Sequence, residues 1–198
     1  ADHRTRLDGR PRRASGDGAR LREWLAEGMR KPSLTAVKLL HRRDEPVATL
    51  LLNRPDKLNA LSTTLLGEIV TASEWLNATD VIRTVVVRGA GRAFSAGFDL
   101  NDFGATGGPL PRDQADLGRI AAEALAETRP LTVAAVHGHC VGGGVVLAAA
   151  CDLRIAAADA RFSIPEVDLG IPLAWGGIPR LVRELGPAIT KELVLTCR

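Results

Sequence analysis

The stretch LTVAAVHGHCVGGGVVLAAACDLRIA, residues 131–156, decides the fold class. Residues 131–136, which open it, are predicted to form an apolar strand, and residues 153–156, which close it, are predicted to form a further strand. Between them, residues 142–150 predict a glycine turn that leads into a short helix of small residues. Apolar strands that alternate with helices are typical of a mostly parallel sheet covered on both faces, so the sequence predicts an α/β fold.

The same alternation extends to both sides of this stretch. Ser62 predicts the N-cap of a helix whose apolar residues recur at helical spacing, namely Leu65, Ile69, Ala72 and Leu76. Further strands are predicted at residues 47–52, 84–87 and 161–163. The other predicted elements are a Gly/Pro loop at residues 103–111 and helices at residues 113–128, 178–185 and 187–196.

Basic charge is concentrated at the start of the chain. Residues 1–31 hold nine Lys/Arg and five Asp/Glu, a net charge of +4, whereas the whole chain carries +3. Glycine and proline interrupt these charges, so residues 1–33 are predicted to be a basic, disordered arm that could hold a short helix at residues 19–29. Residues 34–198 are predicted to be the folded core. Acids lie between the basic residues and aromatic residues are scarce, so we expect no nucleic-acid partner.

The composition, with 45% hydrophobic and 25% charged residues, is that of a globular protein. The longest apolar runs, such as residues 141–150, are too short to span a bilayer, so we expect no membrane association. Cys140 and Cys151 stand in apolar surroundings without CxxC spacing and are predicted to be buried, reduced thiols. No orienting acid accompanies Cys140, so a cysteine nucleophile is not predicted. A reducing cytoplasm fits this cysteine usage best.

Two glycine-rich segments could build a binding site. In GRAFSAGFDL, residues 91–100, Gly97 lets the backbone turn sharply and aim N–H groups into a cleft, although an ordinary turn explains the spacing equally well. In HGHCVGGGVVLAAACD, residues 137–152, three glycines allow close approach of a ligand, and a helix N-terminus favours an oxyanion. Neither a P-loop nor a GxGxxG fingerprint is present. His137 and His139 lack matching acidic or Cys ligands, so packing is favoured over a metal site.

One carboxylate is a candidate general acid/base. Glu166 follows Pro165 in the apolar segment FSIPEVDLGIPLAWGG, residues 162–177, and apolar surroundings raise the pKa of a carboxylic acid toward the useful range. Asp168 would face the same way if the segment were extended, although both acids could equally be solvated loop residues. A serine nucleophile is not predicted, because Ser95 lacks the first glycine of GxSxG.

Four motifs, in order, resemble the signatures of the crotonase (enoyl-CoA hydratase/isomerase) superfamily. They are NRPDKLNAL (53–61), GAGRAFSAGFDL (89–100), the glycine triplet with CDLRIAAADARFSIPEVDLGI (151–171), and GGIPRL (176–181). The resemblance covers residues 37–198 and is specific to the superfamily but not to one reaction. It implies a spiral of ββα units followed by a C-terminal helical region that mediates trimerisation.

The resemblance also implies the chemistry of the site. Members bind CoA thioesters and stabilise an enolate in an oxyanion hole, whose two N–H donors fall on Phe98 and Gly143. Coenzyme A belongs to the substrate, so no separate cofactor and no metal are expected. The residues that would line the CoA site are Lys57, Leu58, Ala60, Ala96, Gly97, Asp99, Leu100 and Gly142.

Two departures from the family pattern qualify these expectations. By the resemblance, typical hydratases hold water with two glutamates. The position of one corresponds to Glu166 in this chain, but the position of the other corresponds to Val146, whose side chain cannot transfer a proton. A single glutamate is similar to the Δ3,Δ2-enoyl-CoA isomerases. The chain also stops at LTCR, so the trimerisation region is expected to be missing, and a homo-oligomer, a trimer or dimer of trimers, is expected if that region is supplied.

The sequence therefore predicts an enoyl-CoA hydratase/isomerase-type enzyme of fatty acid or related acyl-CoA metabolism. Isomerase-like chemistry with Glu166 as the single acid/base is favoured. Two alternatives stay open: a CoA-thioester hydrolase or other lyase on the same fold, and a weakly active CoA-binding subunit.

Overall fold

The computed structural model describes residues 30–104 and 112–197, with residues 103, 104 and 112–115 described in their backbone only. The predicted N-terminal arm, with its short helix at residues 19–29, falls almost wholly outside these described residues. The division between an arm and a core therefore stays a prediction.

A five-stranded sheet forms the centre of the fold. Its strands run in the order β1-β2-β3-β4-β6, with β1 antiparallel to β2 and the other neighbours parallel. A small second sheet pairs β5 with β7 in parallel. The strands are β1 (Val37–Leu40), β2 (Val47–Leu52), β3 (Thr84–Gly89), β4 (Leu131–Val136), β5 (His139–Val141), β6 (Leu153–Ala156) and β7 (Arg161–Ser163).

Parallel pairing brings the carboxyl ends of β2, β3 and β4 to one edge of the sheet. Leu52 lies opposite Gly89, and Arg88 lies opposite Ala135, so these strands end almost level with one another. Ligands of open α/β sheets bind outside the carboxyl ends of the strands. The loops that carry NRPDKLNAL, GAGRAFSAGFDL and the glycine triplet all leave from this edge.

Helices cover the sheet, and one of them is wholly internal. They are α1 (Thr63–Ala78), α2 (Leu100–Gly104), α3 (Arg112–Ala126), α4 (Gly143–Ala150) and α5 (Gly177–Thr196). Helix α1 packs on α3 and buries its apolar stripe, and all eight residues of α4 are buried. A short 3₁₀ turn, Pro55–Lys57, follows β2. No helix among the described residues is both long and apolar enough to cross a membrane.

Most of the predicted elements are confirmed. The Ser62 hydroxyl accepts a hydrogen bond from the Leu65 N–H, as expected of an N-cap. The two predicted C-terminal helices form one assigned helix, α5, that is broken in its backbone at Gly186, whose φ is 77° and ψ 165°. Pro187 then begins the second segment, where its missing N–H leaves no hydrogen bond unmade.

The predictions failed in three places. Strand β1 was not predicted, because its four residues alternate between buried Val37 and Leu39 and exposed neighbours on an edge strand. The apolar pattern of the helix predicted at residues 113–128 places Ile120 on one side with Leu117, Ala121 and Leu125, but Ile120 is exposed in helix α3. The predicted loop at residues 103–111 begins inside helix α2, and its residues 105–111 lie outside the described residues.

The carboxylate of Glu68 fastens the entry of β1 to helix α1. It accepts hydrogen bonds of 2.7–3.0 Å from the backbone N–H groups of Thr35, Ala36 and Val37, and one of 2.8 Å from the Thr35 hydroxyl. Burial alone would raise the pKa of Glu68, but these hydrogen bonds outweigh it and hold the pKa below its ordinary value. The charged form is therefore the one that stabilises the fold.

Replacing Glu68 with Gln should destabilise the protein by about 1–3 kcal/mol at neutral pH, the range for hydrogen bonds to a charged group. Urea unfolding at pH 7 measures the difference. Because the folded-state pKa is lowered, the loss should be full above the ordinary pKa of a glutamate and should shrink as the pH falls through the folded-state value. Glu74→Gln, on the exposed face of the same helix, is the control and should leave the midpoint unchanged.

Candidate active site

The buried amide of Asn59 joins the loops that follow β2 and β3. Its Oδ1 accepts from the Arg54 N–H at 2.9 Å, and its Nδ2 donates to the carbonyls of Ala90 and Ala93, both at 2.8 Å. Leu58 and Asn59 have φ values of 50° and 56°, so the chain turns back tightly here. Since Asn59 is fully buried, its hydrogen bonds are made without competition from water.

An ion pair secures the same two loops from another side. The guanidinium of Arg54 contacts the Asp99 carboxylate at 2.8 Å and also donates to the Ala60 carbonyl. Asn101 donates to the same carboxylate through both its backbone and its side chain. Burial would raise the pKa of Asp99, but the hydrogen bonds from Arg54 and Asn101 hold it below its ordinary value. Asp99, predicted to line the CoA site, is thus engaged in holding the loop.

The segment GRAFSAGFDL lies between the other two motifs. On one side, Ser95 exchanges backbone hydrogen bonds of 3.0 and 2.9 Å with His139 and Val141. On the other side, Leu61 donates to the Gly97 carbonyl at 2.8 Å and accepts from Asp99 at 3.2 Å. The structure therefore brings the three loops together at the sheet edge.

The Ser95 side chain completes this junction instead of serving as a nucleophile. Its hydroxyl donates to the Asn59 carbonyl at 2.9 Å and accepts from the Gly97 N–H at 3.2 Å, and the residue is fully buried. A hydroxyl held in two hydrogen bonds inside the protein has no base beside it to activate it.

Gly97 sets the direction of the first predicted donor. Its φ of 86° is accessible to glycine, and a Cβ here would lie only 2.9 Å from the Val141 carbonyl oxygen. In the bridge with Leu61, the flanking residues Gly97 and Asp99 make the hydrogen bonds, so the N–H of Phe98 points away from Leu61. The side opposite Leu61 is the one on which β5 and the glycine triplet lie.

The second predicted donor stands at the start of helix α4. Gly143 is its first residue, and the N-cap Gly142 provides no side-chain hydrogen bond. The first N–H groups of a helix have no partner within it and carry the positive end of its dipole, so they favour an anion. Gly142 itself is held by a 2.9 Å hydrogen bond from its N–H to the Ser163 carbonyl, which couples this helix end to β7.

Glu166 reaches the same corner from the chain that follows β7. A Cβ at Gly142 would lie 2.2 Å from Glu166 Oε1, so the carboxylate packs directly on this glycine. Glu166 is buried, and its Oε2 has no hydrogen-bond partner among the described residues. Burial raises the pKa of Glu166 above its ordinary value. A carboxyl group of this kind can both accept and return a proton.

Asp168 does not join Glu166. Residues 165–170 form turns, in which Leu169 donates to the Pro165 and Glu166 carbonyls, and Asp168 points into solvent. The two carboxylates were expected to face the same way only in an extended segment, and this condition is not met; for Asp168 the alternative of a solvated loop residue applies.

Helix α4 provides no second acid. Val146 is fully buried, and a Cβ at Gly177, the first residue of α5, would lie 2.7 Å from its Cγ2. The side chain at this position fills the junction of two helices and offers no group that could hold a water molecule.

Trp175 is a residue that the sequence analysis missed. Its indole packs on Gly143 and on Gly118 of helix α3, and it meets the ring of Phe98 edge-on, with centroids 5.8 Å apart. Its φ of 58° lies in the left-handed region, which costs an aromatic residue about 1–3 kcal/mol. The available signals were a tryptophan before two glycines and a glycine within a helix, but neither indicates which surfaces the ring contacts.

The other predicted site residues surround this corner at different depths. Lys57 is exposed and Leu100 is 56% exposed, whereas Leu58, Ala60 and Ala96 are half-buried, and Ala96 donates to the Leu58 carbonyl. They form a rim from solvent toward the glycines.

The structure shows the surroundings of His137 and His139 and of the two buried cysteines. His137 bonds the Gly91 carbonyl at 3.0 Å through Nε2, and His139 is exposed. Burial raises the pKa of Cys140 and Cys151 to about 12, which disfavours a thiolate. Within residues 30–104 and 112–197, no group of three or more His, Cys, Asp or Glu side chains could hold a metal ion.

The chain is similar in sequence to a known family and to several of its members. A family model described as enoyl-CoA hydratase/isomerase matches residues 42–198. A probable enoyl-CoA hydratase of Mycobacterium tuberculosis is 35% identical over 178 residues, which cover 83% of this chain and 63% of that protein. The peroxisomal Delta(3,5)-Delta(2,4)-dienoyl-CoA isomerase of Arabidopsis thaliana is 38% identical over 167 residues, covering 78% and 60%. The chain thus spans about three fifths of the length of these relatives.

Solved structures show the same similarity. The crystal structure of an enoyl-CoA hydratase from Bacillus anthracis superposes with a TM-score of 0.76 at 32% identity, covering 83% of this chain and 64% of that one. Relatives named as hydratases and as an isomerase resemble the chain to a similar degree.

Replacing Gly142 with Ala should disrupt the corner of the site. The new Cβ would meet Glu166 Oε1 at 2.2 Å, and the φ of 50° is unfavourable for alanine, so we expect a loss of about 1–3 kcal/mol or more. Urea unfolding measures it. Gly67→Ala, inside helix α1 with nothing within 4 Å, is the matched control and should stabilise by about 0.5–1 kcal/mol. Equal effects of the two substitutions would contradict the close contact.

Proposed function

Because the chain belongs to the enoyl-CoA hydratase/isomerase family, we propose that it isomerises an acyl-CoA thioester by moving one proton along the acyl chain with Glu166. The observation that carries this proposal is the pairing of Glu166 with Val146. One buried carboxyl group packs on Gly142, while an apolar side chain occupies the place of a second acid.

The N–H groups of Phe98 and Gly143 serve as the oxyanion hole. Removal of a proton from the carbon next to a thioester places negative charge on the thioester oxygen, and fixed donors stabilise that charge. Three features support this role: the direction of the Phe98 N–H, the position of Gly143 at a helix N-terminus, and the close approach of the Gly97 backbone. A single donor of this kind is worth about 10²–10³ in rate.

Glu166 takes the proton in its ionised form and returns it in its neutral form. With a 3-enoyl-CoA, the carboxylate removes a proton from C2, and the C–H electron pair forms the enolate. When the thioester carbonyl re-forms, the C2–C3 double bond is made, and the electron pair of the C3–C4 double bond takes the same proton from the carboxyl group to form the C4–H bond. Burial raises the pKa of Glu166, so its neutral form is easier to reach than that of an exposed glutamate, which favours the proton transfer from C2 to the carboxylate.

Hydration needs more than this site provides. A water molecule must be oriented and deprotonated while another proton reaches the acyl chain, and these tasks ordinarily need two polar groups. Val146 is fully buried between helices α4 and α5, so it can do neither. Isomerisation needs one group, and Glu166 provides it.

The CoA moiety binds along the rim that leads into the corner. Lys57 offers a positive charge to the phosphates, while Leu58, Ala60, Ala96, Gly97, Leu100 and Gly142 provide backbone and apolar contacts. Asp99 contributes by holding Arg54 and thereby the loop. Buried thiols at Cys140 and Cys151 support a reducing compartment such as the cytoplasm.

We also propose that the protein forms a homo-oligomer, a trimer or a dimer of trimers. Large apolar side chains on β6, β7 and α5 face solvent in the single chain, including Ile155 (67% exposed), Phe162 (48%) and Leu195 (70%). Exposed apolar surface of this extent favours self-association.

Glu166→Gln should abolish isomerisation of a 3-enoyl-CoA, with a loss of at least 10²–10⁴, because an amide keeps the shape of the side chain but cannot exchange the proton. Absorbance of the conjugated enoyl thioester follows the reaction. Asp168→Asn, two residues away and exposed, is the control and should retain activity. Rapid hydration of a 2-enoyl-CoA by the unmodified protein would refute the isomerase assignment, and release of free CoA would support a thioester hydrolase instead. CoA binding without turnover would support a binding subunit.

The pH dependence of activity should report the raised pKa of Glu166. The base must be ionised, so kcat/KM should fall as the pH drops through a value above the ordinary range of glutamate. The contribution of Glu166 to stability should run the other way: because its pKa is raised, the neutral form stabilises the fold, so this contribution is full at low pH and is lost as the pH rises through the folded-state pKa. Urea unfolding of Glu166→Gln should lack this decline. An acidic limb at the ordinary pKa would contradict the assignment.

A further inference from the structure

We propose that Trp175 determines substrate specificity by closing the acyl end of the site, so that the protein accepts short acyl chains. The inference rests on the proposed function, because it assumes that a thioester oxygen binds at Phe98 and Gly143. It goes further by assigning the substrate class to one side chain that is outside the predicted set of site residues.

Two glycines create the space that the indole fills. A Cβ at Gly118 would lie 1.9 Å from the indole Cε2, and a Cβ at Gly143 would lie 2.2 Å from Cζ3. Both distances are far shorter than any real carbon–carbon contact, so a side chain at either glycine would displace the ring. Gly118 lies inside helix α3, where glycine is unfavourable. Its presence is explained by the close approach of the indole.

The indole lies beside both proposed donors. It packs on Gly143 and meets the Phe98 ring at 5.8 Å with an interplanar angle of 78°. A thioester oxygen that is bound to both N–H groups therefore has the indole as its neighbour. Glu166 packs on Gly142, one residue away, so the reacting carbons must lie close to the same corner. Acyl carbons beyond them have to pass the tryptophan.

The position of the Trp175 ring is fixed both by the backbone conformation of the residue and by the surfaces that the ring contacts. Its backbone adopts a φ of 58° and is followed by Gly176 with a φ of 69°, a conformation that the surrounding packing must maintain. The ring itself is held between helices α3 and α4 and against Phe98. A side chain constrained in this way forms a wall instead of an adaptable surface.

A rigid side chain at this position discriminates between acyl chains by their length. One methylene group too many or too few in a hydrophobic pocket changes kcat/KM by about 10–200-fold. A chain of ten carbons differs from one of four by six methylene groups, so it would have to displace the indole before its thioester could reach the donors.

The test compares acyl-chain length in binding as well as in turnover. Calorimetry gives Kd values for butyryl-CoA and decanoyl-CoA, which lack the double bond and do not react, and kcat/KM is measured for 3-enoyl-CoAs of short and long chain. The variants are Trp175→Ala and Trp175→Phe; Leu169→Ala, an exposed apolar residue of the same loop, is the matched control.

We expect the unmodified protein to favour butyryl-CoA by at least about 10-fold in Kd, in line with the discrimination of hydrophobic pockets. Trp175→Ala should remove most of that preference by tightening decanoyl-CoA, Trp175→Phe should be intermediate, and Leu169→Ala should keep it. If Trp175→Ala does not fold, Trp175→Phe decides.

Two results would overturn the inference while leaving the proposed function intact. They are equal affinity of the unmodified protein for both CoA esters, and an equal change for both esters in the Trp175 variants. Failure of the unmodified protein to bind either ester would overturn the proposed function itself, and the inference with it. If both esters bind but no 3-enoyl-CoA is turned over, the Kd values alone decide the inference. A preference for butyryl-CoA that Trp175→Ala removes would support it, and equal Kd values would overturn it.

Discussion

The buried side-chain amide of Asn59 is the interaction on which the rest of the site depends. It uses both its donor and its acceptor capacity to hold the loop after β2 against the loop after β3. Ser95 then links that junction to β5 and the glycine triplet. Removal of one partner from such a network leaves other buried polar groups unsatisfied, so the three loops are maintained together or lost together.

The backbone is closely packed at this corner of the fold. At Gly97, Gly142 and Gly143 a Cβ would collide with a carbonyl group, a carboxylate or an indole. The absence of side chains there lets the Glu166 carboxyl group pack on Gly142 and the Trp175 ring pack on Gly143. The energetic consequence is a buried carboxyl group with one unpartnered oxygen and a strained tryptophan, both of which reduce stability in order to place reactive groups.

The α/β class, the family and most elements could be predicted from the sequence, because an apolar strand or the helix cap at Ser62 is recognisable from a few consecutive residues. The sequence left open whether Asp168 faces the same side as Glu166, because that depends on whether residues 165–170 are extended or form turns, and hydrogen bonds within the segment form turns. Trp175 could not be predicted, since its partners Gly118 and Phe98 are distant in sequence. Periodicity describes one element at a time, whereas the site depends on contacts between elements.

Helix α4 has a further consequence for how the protein acquires its site. Its eight residues are all buried, and a helix of this length is not stable alone in water. In the central sheet, β3 and β4 pair over long sequence separations, Thr84 with Leu131 for example, and folds rich in such pairings form slowly. The N–H groups at the start of α4 are therefore aligned only while the surrounding elements hold this helix in place. An anion that binds at this helix end would thus stabilise the folded state over states in which the helix has come undone.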